Sequence, residues 1–587
     1  MAEFSKLVIT DKGQALLAKM IAGTGNIEFT KVCTSSKQYQ LSQLQGLASL
    51  AEVKQTALIS KVTRTNEVAI KVEAAFTNTD LTAGYYMRAL GLYAVDPNAG
   101  EILYAVTIET SGNCYMPPYN GLTVSGAFIQ LVTTVGNAEN VTLEVDQAAV
   151  ATIGDIKELQ EQIADLEAFI GYSDPNIVGV EVDFKNKKFT RLAGAVNRTP
   201  GAMFNNINAF GGRKRCNVAD DGTVTAYYGD AAYTTTGKMA NGTPVQVMVE
   251  QPKFYYKVVP LEVEAGARGV KIMKARYYVS DTVKAGFKVH PAFIENGNTN
   301  PFIYLAAFEG SLYDVSTSSY ILDDAQVADF NADMLSSVAG VKPISGLTQN
   351  LTKANTRKLA QKRGKGWEQS YAATVACSQL LMLIEYGTFN MQSVIGAGNT
   401  TKTDDGVSSM TEVTGATVNL ANASGEVVNA NGVSMICYRG EENFWGNIWT
   451  WVDGMNEENP TPFASGDTGT LHVADHGFAD NTKAAPYKDT GIYPVQGEGY
   501  ISAFGYSEEF DWLFIPVEHN GNSALPVGDY FWNNNPGWRV ALLGGRWNYG
   551  ARSGAFCWSL NDASSYRHRR IGGRLVYVPS KKEAAAA

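Results

Sequence analysis

The 587-residue chain has little of what builds metal centres or disulfide frameworks: six cysteines and five histidines. Cys33, Cys114, Cys216, Cys377, Cys437 and Cys557 each lie at least 60 residues from the next, so none forms the short-spaced pair of a zinc knuckle or redox motif. Scattered reduced thiols, in a chain made in cytosol, are expected instead. No apolar run nears the ~20 residues needed to cross a bilayer. The opening MAEFSKLVITDKGQ lacks the basic stretch and apolar core of a signal peptide. A soluble chain without membrane insertion is therefore expected. Charged residues make up 18%, and the net charge of −10 with a pI near 5.3 excludes a general nucleic-acid binder. Tryptophan is missing from the first 366 residues; all nine lie beyond them, eight between Trp445 and Trp558.

What is present suits a folded, β-rich, multidomain chain. Hydrophobic residues reach 45%, and 57 glycines against 19 prolines point to many tight turns. The length predicts about four domains. Residues 1–145 read as an α/β unit. Thr10-Asp11-Lys12-Gly13 gives a cap before a helical stripe over Gln14–Ile21. Strands are expected at 68–72, 91–95, 102–106 and 128–132, with Asp96–Gly100 as a turn.

Between 146 and 171 the period changes. Ile156, Leu159, Ile163, Leu166 and Ile170 form a heptad seam, which predicts a short coiled coil and self-association. A single amphipathic helix on a domain surface is the alternative. Residues 172–299 then read as a β-rich spacer, with hairpins over 180–192 and around Asp221-Gly222. A helix over Trp367–Tyr386, apolar nearly all round, should be buried and end at Gly387. Residues 399–432, rich in Thr, Asn, Gly and Ser, read as an exposed loop or hairpin.

Candidate chemistry is thin. His472 and His476 stand four apart, but Val473 occupies the place where a zinc-protease pattern needs Glu. Asn217–Gly222 resembles half a calcium loop without its ligand spacing, and a hairpin turn is expected. Gly211–Arg215 is glycine-rich and basic without phosphate-loop spacing, and Arg357–Lys365 reads as a solvated basic face. No catalytic set, metal site or cofactor emerges, and the chain is expected not to be an enzyme. The last segment differs. Between Trp538 and Val578 lie seven arginines and one acid, Asp562, among six tryptophans and tyrosines. Arginine and aromatic residues dominate binding hot spots. That arginine excess suggests an anionic or carboxylate-rich target, with a hydrophobic pocket as the alternative. Trp547 and Trp558 should be largely core.

Three stretches resemble known families. Leu7–Gln14, Phe29–Val32, Leu81–Arg88, Gly91–Ala94 and Gly136–Val141 resemble the N-terminal collar domain of contractile-tailed phage fibres, which implies attachment to the baseplate through residues 1–145. Ile384–Asn390 and Tyr438–Trp449 resemble the C-type-lectin-like fold of phage receptor-binding proteins, related to formylglycine-generating enzymes, over roughly 300–580. Leu543–Asn548, Ala555-Phe556, Leu560-Asn561 and Ile571–Val576 resemble the fixed scaffold of proteins diversified by retroelements. That resemblance makes Arg546, Tyr549, Ala551, Arg552, Ser553, Cys557, Ser559, Asp562, Tyr566 and His568 the variable, receptor-binding positions, within a variable region of about 538–578. An ordinary fixed lectin-like tip remains open beside it.

Together these resemblances imply a multidomain α+β homotrimer: a collar domain, a coiled-coil linker, the β-rich spacer, the lectin-like domain and a flexible tail over 581–587. Its expected place is the virion, bound to the baseplate at one end and to a bacterial surface glycan or protein at the other. A fibre of a contractile injection particle or headless tail, and a receptor-degrading tailspike enzyme, are the alternatives.

Overall fold

The computed structural model describes residues 4–22, 27–64, 69–120, 125–134, 145–146, 162–163, 166–167, 171–266, 268–321, 328–463 and 468–579. The chain divides into two compact units, Met1–Gln162 and Ile163–Ala587.

In the first unit, Thr10 begins the helix Asp11–Ala22; its hydroxyl accepts the Gly13 amide at 3.0 Å. Leu16 on that helix is fully buried among Val32, Leu92, Tyr104 and Ile129. Five strands form one sheet, in the order Val8–Ile9, Gly100–Ile108, Ala89–Asp96, Phe29–Ser35 and Val53–Leu58. A second sheet orders Val145–Asp146, Gly126–Thr134, Ala69–Thr77 and Lys61–Arg64. The four expected strands and the turn at Asp96–Gly100 are present, with Gly100 at φ +75°. The α/β expectation needs correction. All pairings in these two sheets are antiparallel, and among the described residues the unit has one α-helix. Hairpins that need no helical crossover give it an antiparallel β architecture.

Of the heptad residues, Ile156, Leu159 and Ile170 lie outside the described residues, as does the tail 581–587. Ile163 and Leu166 are helical, and both are exposed (50% and 59%).

The second unit joins the expected spacer to the C-terminal region. The strand Val245–Pro252 pairs with Phe302–Ala306, which pairs with Leu575–Tyr577 near the end of the chain. Gly269–Ser280 likewise pairs with Ala503–Tyr506. One apolar core runs from Val178 to Val578, so residues 172–299 do not stand apart as a separate spacer. The hairpin Ile177–Asp183/Lys188–Ala193 sets Val182 opposite Phe189, and Gly222 turns at φ +84° between Lys214–Ala219 and Val224–Tyr227.

At the centre is the helix Ala372–Tyr386, buried from Ala372 through Glu385 and ended by Gly387 at φ +67°. It starts later than the pattern suggests, because Trp367–Gln369 pairs as a strand with Leu575–Tyr577. Two basic stretches also depart from expectation. Arg213 and Arg215 are buried: Arg213 pairs with Glu441, and Arg215 donates to the Gly440 carbonyl at 2.8 Å. Arg357 meets Asp453 at 2.5 Å and Asp480 at 2.6 Å, beside a wholly buried Lys353. A charge taken from water requires such partners, and hydropathy alone does not reveal them.

Candidate functional site

One sheet carries most of the strands near the end of the chain. Its order is Lys488–Asp489, Leu471–Val473, Trp449–Asn459, Gly537–Leu543, Trp558–Asp562, Tyr530–Asn533 and Gly497–Tyr500, and Ile571–Gly572 runs parallel to the start of Trp449–Asn459. Strand side chains alternate between faces, and these strands use that alternation sharply. Val452, Phe531, Ala541, Leu543, Trp558 and Leu560 enter the main core. Trp449, Trp451, Trp532, Val540, Leu542, Cys557 and Ile571 form a separate aromatic-rich cluster, with Tyr530 and Tyr549 against it.

A cavity of about 330 Å³ opens by that second cluster. Five expected variable positions line it: Tyr549, Ser559, Asp562, Tyr566 and His568. Ser559 and Asn561 reach it from positions between the core residues Trp558 and Leu560 and just beyond. A register shift between Val540 and Leu542 opposite this strand lets Asp562 face it too. Trp449 stands nearly perpendicular to Trp532 (80°, centroids 5.8 Å apart) and to Tyr549 (86°, 5.9 Å). Tyr566 stacks beside His568 at 6.1 Å.

The remaining expected positions fall elsewhere. Ala551 and Arg552 are exposed on the short turn Gly550–Arg552, where Arg552 lies 5.1 Å from the Tyr530 ring. Arg546 is buried and covers Tyr549 at 4.1 Å. Ser553 and Cys557 are wholly buried. Ser553 sits against Gly545, a glycine at φ +83° where an added Cβ would collide with the Ser553 side chain. Cys557 belongs to the aromatic cluster, and burial pushes its thiol well above the ordinary range. Neither is displayed, so both leave the set of surface positions.

Sequence reasoning passed over Trp449, Glu498, Trp532, Asn535 and Arg570, which also line the cavity. Glu498 and Asn535 lie outside every motif; the pairing of Gly497–Tyr500 with Tyr530–Asn533 brings Glu498 opposite Trp532. The polar stretch 399–432 is also no free loop. Asp404 pairs with Arg569 at 2.6 Å, the Lys402 amide donates to the Trp547 carbonyl at 2.8 Å, and the Gly550 amide donates to the Thr400 carbonyl at 2.7 Å. It clamps the segment between Trp547 and Arg569.

These contacts also dispose of most of the arginine excess. Arg569 is ion-paired, and Arg574 is buried on the carbonyls of Asn443 and Ala306. Arg539 donates to the carbonyls of Asn535 and Pro536. Arg570 donates to the His568 ring at 3.0 Å. Burial and the neighbouring Arg569 and Arg546 lower the His568 pKa. Burial raises Asp562 to about 6, against the pull of Arg539.

The two histidines considered as a metal pair do not share a helix. His472 is in the strand Leu471–Val473, and His476 lies in the loop beyond, 2.5 Å from Asp475. Among the described residues no three His, Cys, Asp or Glu side chains gather into a group able to hold a metal. No helix among them is long and apolar enough to cross a membrane.

The N-terminal unit is antiparallel, and the cavity lies on the second, β-rich unit. The chain's first 154 residues match the family described as phage tail-collar fibre protein, N-terminal. No curated protein matches the chain. Among solved structures, the U1 variant of a Major Tropism Determinant is similar at 14% identity, covering 62% of this chain and 72% of its own, with a TM-score of 0.22. The M1 and P3c variants are similar at 13% and 14% identity, each covering 62% of this chain and 71% of its own, with TM-scores of 0.23.

Proposed function

We propose that this chain is a phage tail fibre that binds a bacterial surface receptor through the cavity beside Trp449. The observation that carries the reading is the convergence of five expected variable positions on one open cavity, in a chain that begins with a tail-collar fibre domain. Residues 1–145 attach the fibre to the baseplate, and the heptad seam through Ile163 and Leu166 joins three chains. The lectin-like region holds the cavity on a sheet whose other face is core, so displayed residues vary without disturbing the fold. Several tips on one particle supply avidity. A retroelement diversifies the exposed positions, and the chain acts by binding rather than by cleaving its receptor.

Adsorption by the full chain carrying Tyr566→Ala, at a residue lining the cavity, tests the reading. The side chain is exposed, so melting should be unchanged while binding to susceptible cells falls. Wild-type adsorption by a folded Arg552→Ala, Tyr566→Ala double variant would sink it. Light scattering should give three times 63.3 kDa; any other multiple removes the trimer.

A further inference from the structure

The cavity's walls select among classes of ligand, and a choice among those classes rests on the receptor-binding reading. Trp449 meets Trp532 and Tyr549 at a near-right angle, making an aromatic corner. Around that corner the lining is polar and of mixed type. Asn561 offers an amide, Ser559 a hydroxyl, and Glu498 and Asp562 carboxylates. The Asp562 carboxylate accepts no hydrogen bond from a described residue; Arg539 is the only cation felt there, and its guanidinium donates to backbone carbonyls instead.

Three ligand classes can be compared on those terms. An anionic group would enter between two carboxylates, and the one lining guanidinium, Arg570, already donates to His568. A purely apolar group would strip water from these polar side chains without replacing its hydrogen bonds, at about 1–3 kcal/mol for each group left unpaired. A polyol ring avoids both costs. Its C–H face lies against aromatic walls, and its hydroxyls donate to carboxylates while accepting from amides. The volume of about 330 Å³ is at the low end of small-ligand clefts, suited to a short piece of glycan. We infer that the cavity binds an uncharged saccharide unit of a surface glycan, held by side chains without a bridging metal.

The test uses labelled full-length chain on a panel of bacterial strains, in buffer containing EDTA. Strains that bind are treated with periodate, which cleaves vicinal diols, or with proteinase K. Methyl glycosides of glucose, galactose, mannose and N-acetylglucosamine serve as soluble competitors. The inference expects binding lost after periodate, kept after protease, and competed by at least one glycoside at millimolar concentration. Asp562→Asn, with melting as in the wild type, should raise the competing concentration about tenfold, the loss of one hydrogen bond to a charged group. Binding that survives periodate but not protease overturns the saccharide while leaving the receptor-binding reading intact. Binding abolished by EDTA overturns the metal-free mode. Binding to no strain overturns the receptor-binding reading itself.

Discussion

The two faces of the sheet that ends the chain are built from the same strands yet differ in what they leave unfinished. Toward the core, Val452, Phe531, Leu543, Trp558 and Leu560 are closed in by the central region of the unit, with Phe389, Phe504, Phe514 and Phe556 packed edge to face nearby. On the other face, Trp449, Trp532 and Tyr549 form a small cluster that ends at an open cavity. Because successive residues point opposite ways, one strand such as Trp558–Asp562 serves both faces. Under the proposed function, specificity changes at Ser559 or Asp562 while Trp558 and Leu560 keep the fold. Neighbouring residues thus answer to different demands.

The comparison breaks most visibly if the core face proves dispensable. Trp558→Ala removes a wholly buried indole and should destabilise the unit by about 3–5 kcal/mol, the range for large aromatic deletions in cores. Chemical denaturation followed by tryptophan fluorescence would measure it. A loss below about 1 kcal/mol would mean that this face is not packed as described.

A smaller effect separates buried acids from displayed ones. Glu457 lies wholly buried in the strand Trp449–Asn459, and its carboxylate accepts from Asn533 at 3.1 Å. Burial raises its pKa to about 8, partly offset by Asn533, Asn459 and Arg539. An acid whose folded pKa lies above its unfolded value contributes stability that is full below about pH 4.3 and is lost as pH rises toward 8. Its share of the slope approaches about 1.4 kcal/mol per pH unit inside that window. Glu457→Gln should flatten the pH dependence of the denaturation midpoint between about pH 5 and 8. An unchanged slope would show that Glu457 stays ionised.

How far the sequence reveals the structure depends on whether a residue's role is local. The helix capped by Thr10, the turn at Asp96–Gly100, the hairpin at Gly222 and the C-cap at Gly387 arise from short-range chemistry, and each stands where the pattern puts it. Trp547 and Trp558 are core as expected. The misreadings are long-range. Arg213, Arg215 and Arg357 look solvated until Glu441, the Gly440 carbonyl and Asp453 arrive from distant parts of the chain. The antiparallel N-terminal sheets and the shared core of 172–299 with the chain's end are pairing facts, and single-strand periodicity does not encode a partner. At the site, the motif marked a segment of which five expected positions line the cavity. It could not tell exposed Arg552 from buried Ser553 and Cys557, because all three precede the strand Trp558–Asp562 in turn and loop residues whose burial no periodicity encodes. Glu498 had no local signal at all, and Trp449 stood only at the end of a fold motif; strand pairing brings both to the cavity.

The finest test of the two faces uses a residue that the scaffold does not need. Tyr549 is a poor choice, although it lines the cavity: it packs against Trp449 and Trp532 and lies under Arg546, so its loss would mix folding with recognition. Tyr566 is cleaner. Its side chain is 39% exposed and stacks on His568 alone among the described aromatic rings. Tyr566→Ala should therefore change unfolding free energy by no more than about 0.5 kcal/mol, the usual span for surface substitutions away from special features. The same variant removes one wall of the cavity and should weaken binding of the full chain to susceptible cells at least tenfold. Measured together, denaturation and cell binding place the residue on one side of the division. A large loss of stability would tie the displayed rim to the core, and unchanged binding would remove Tyr566 from the recognition surface.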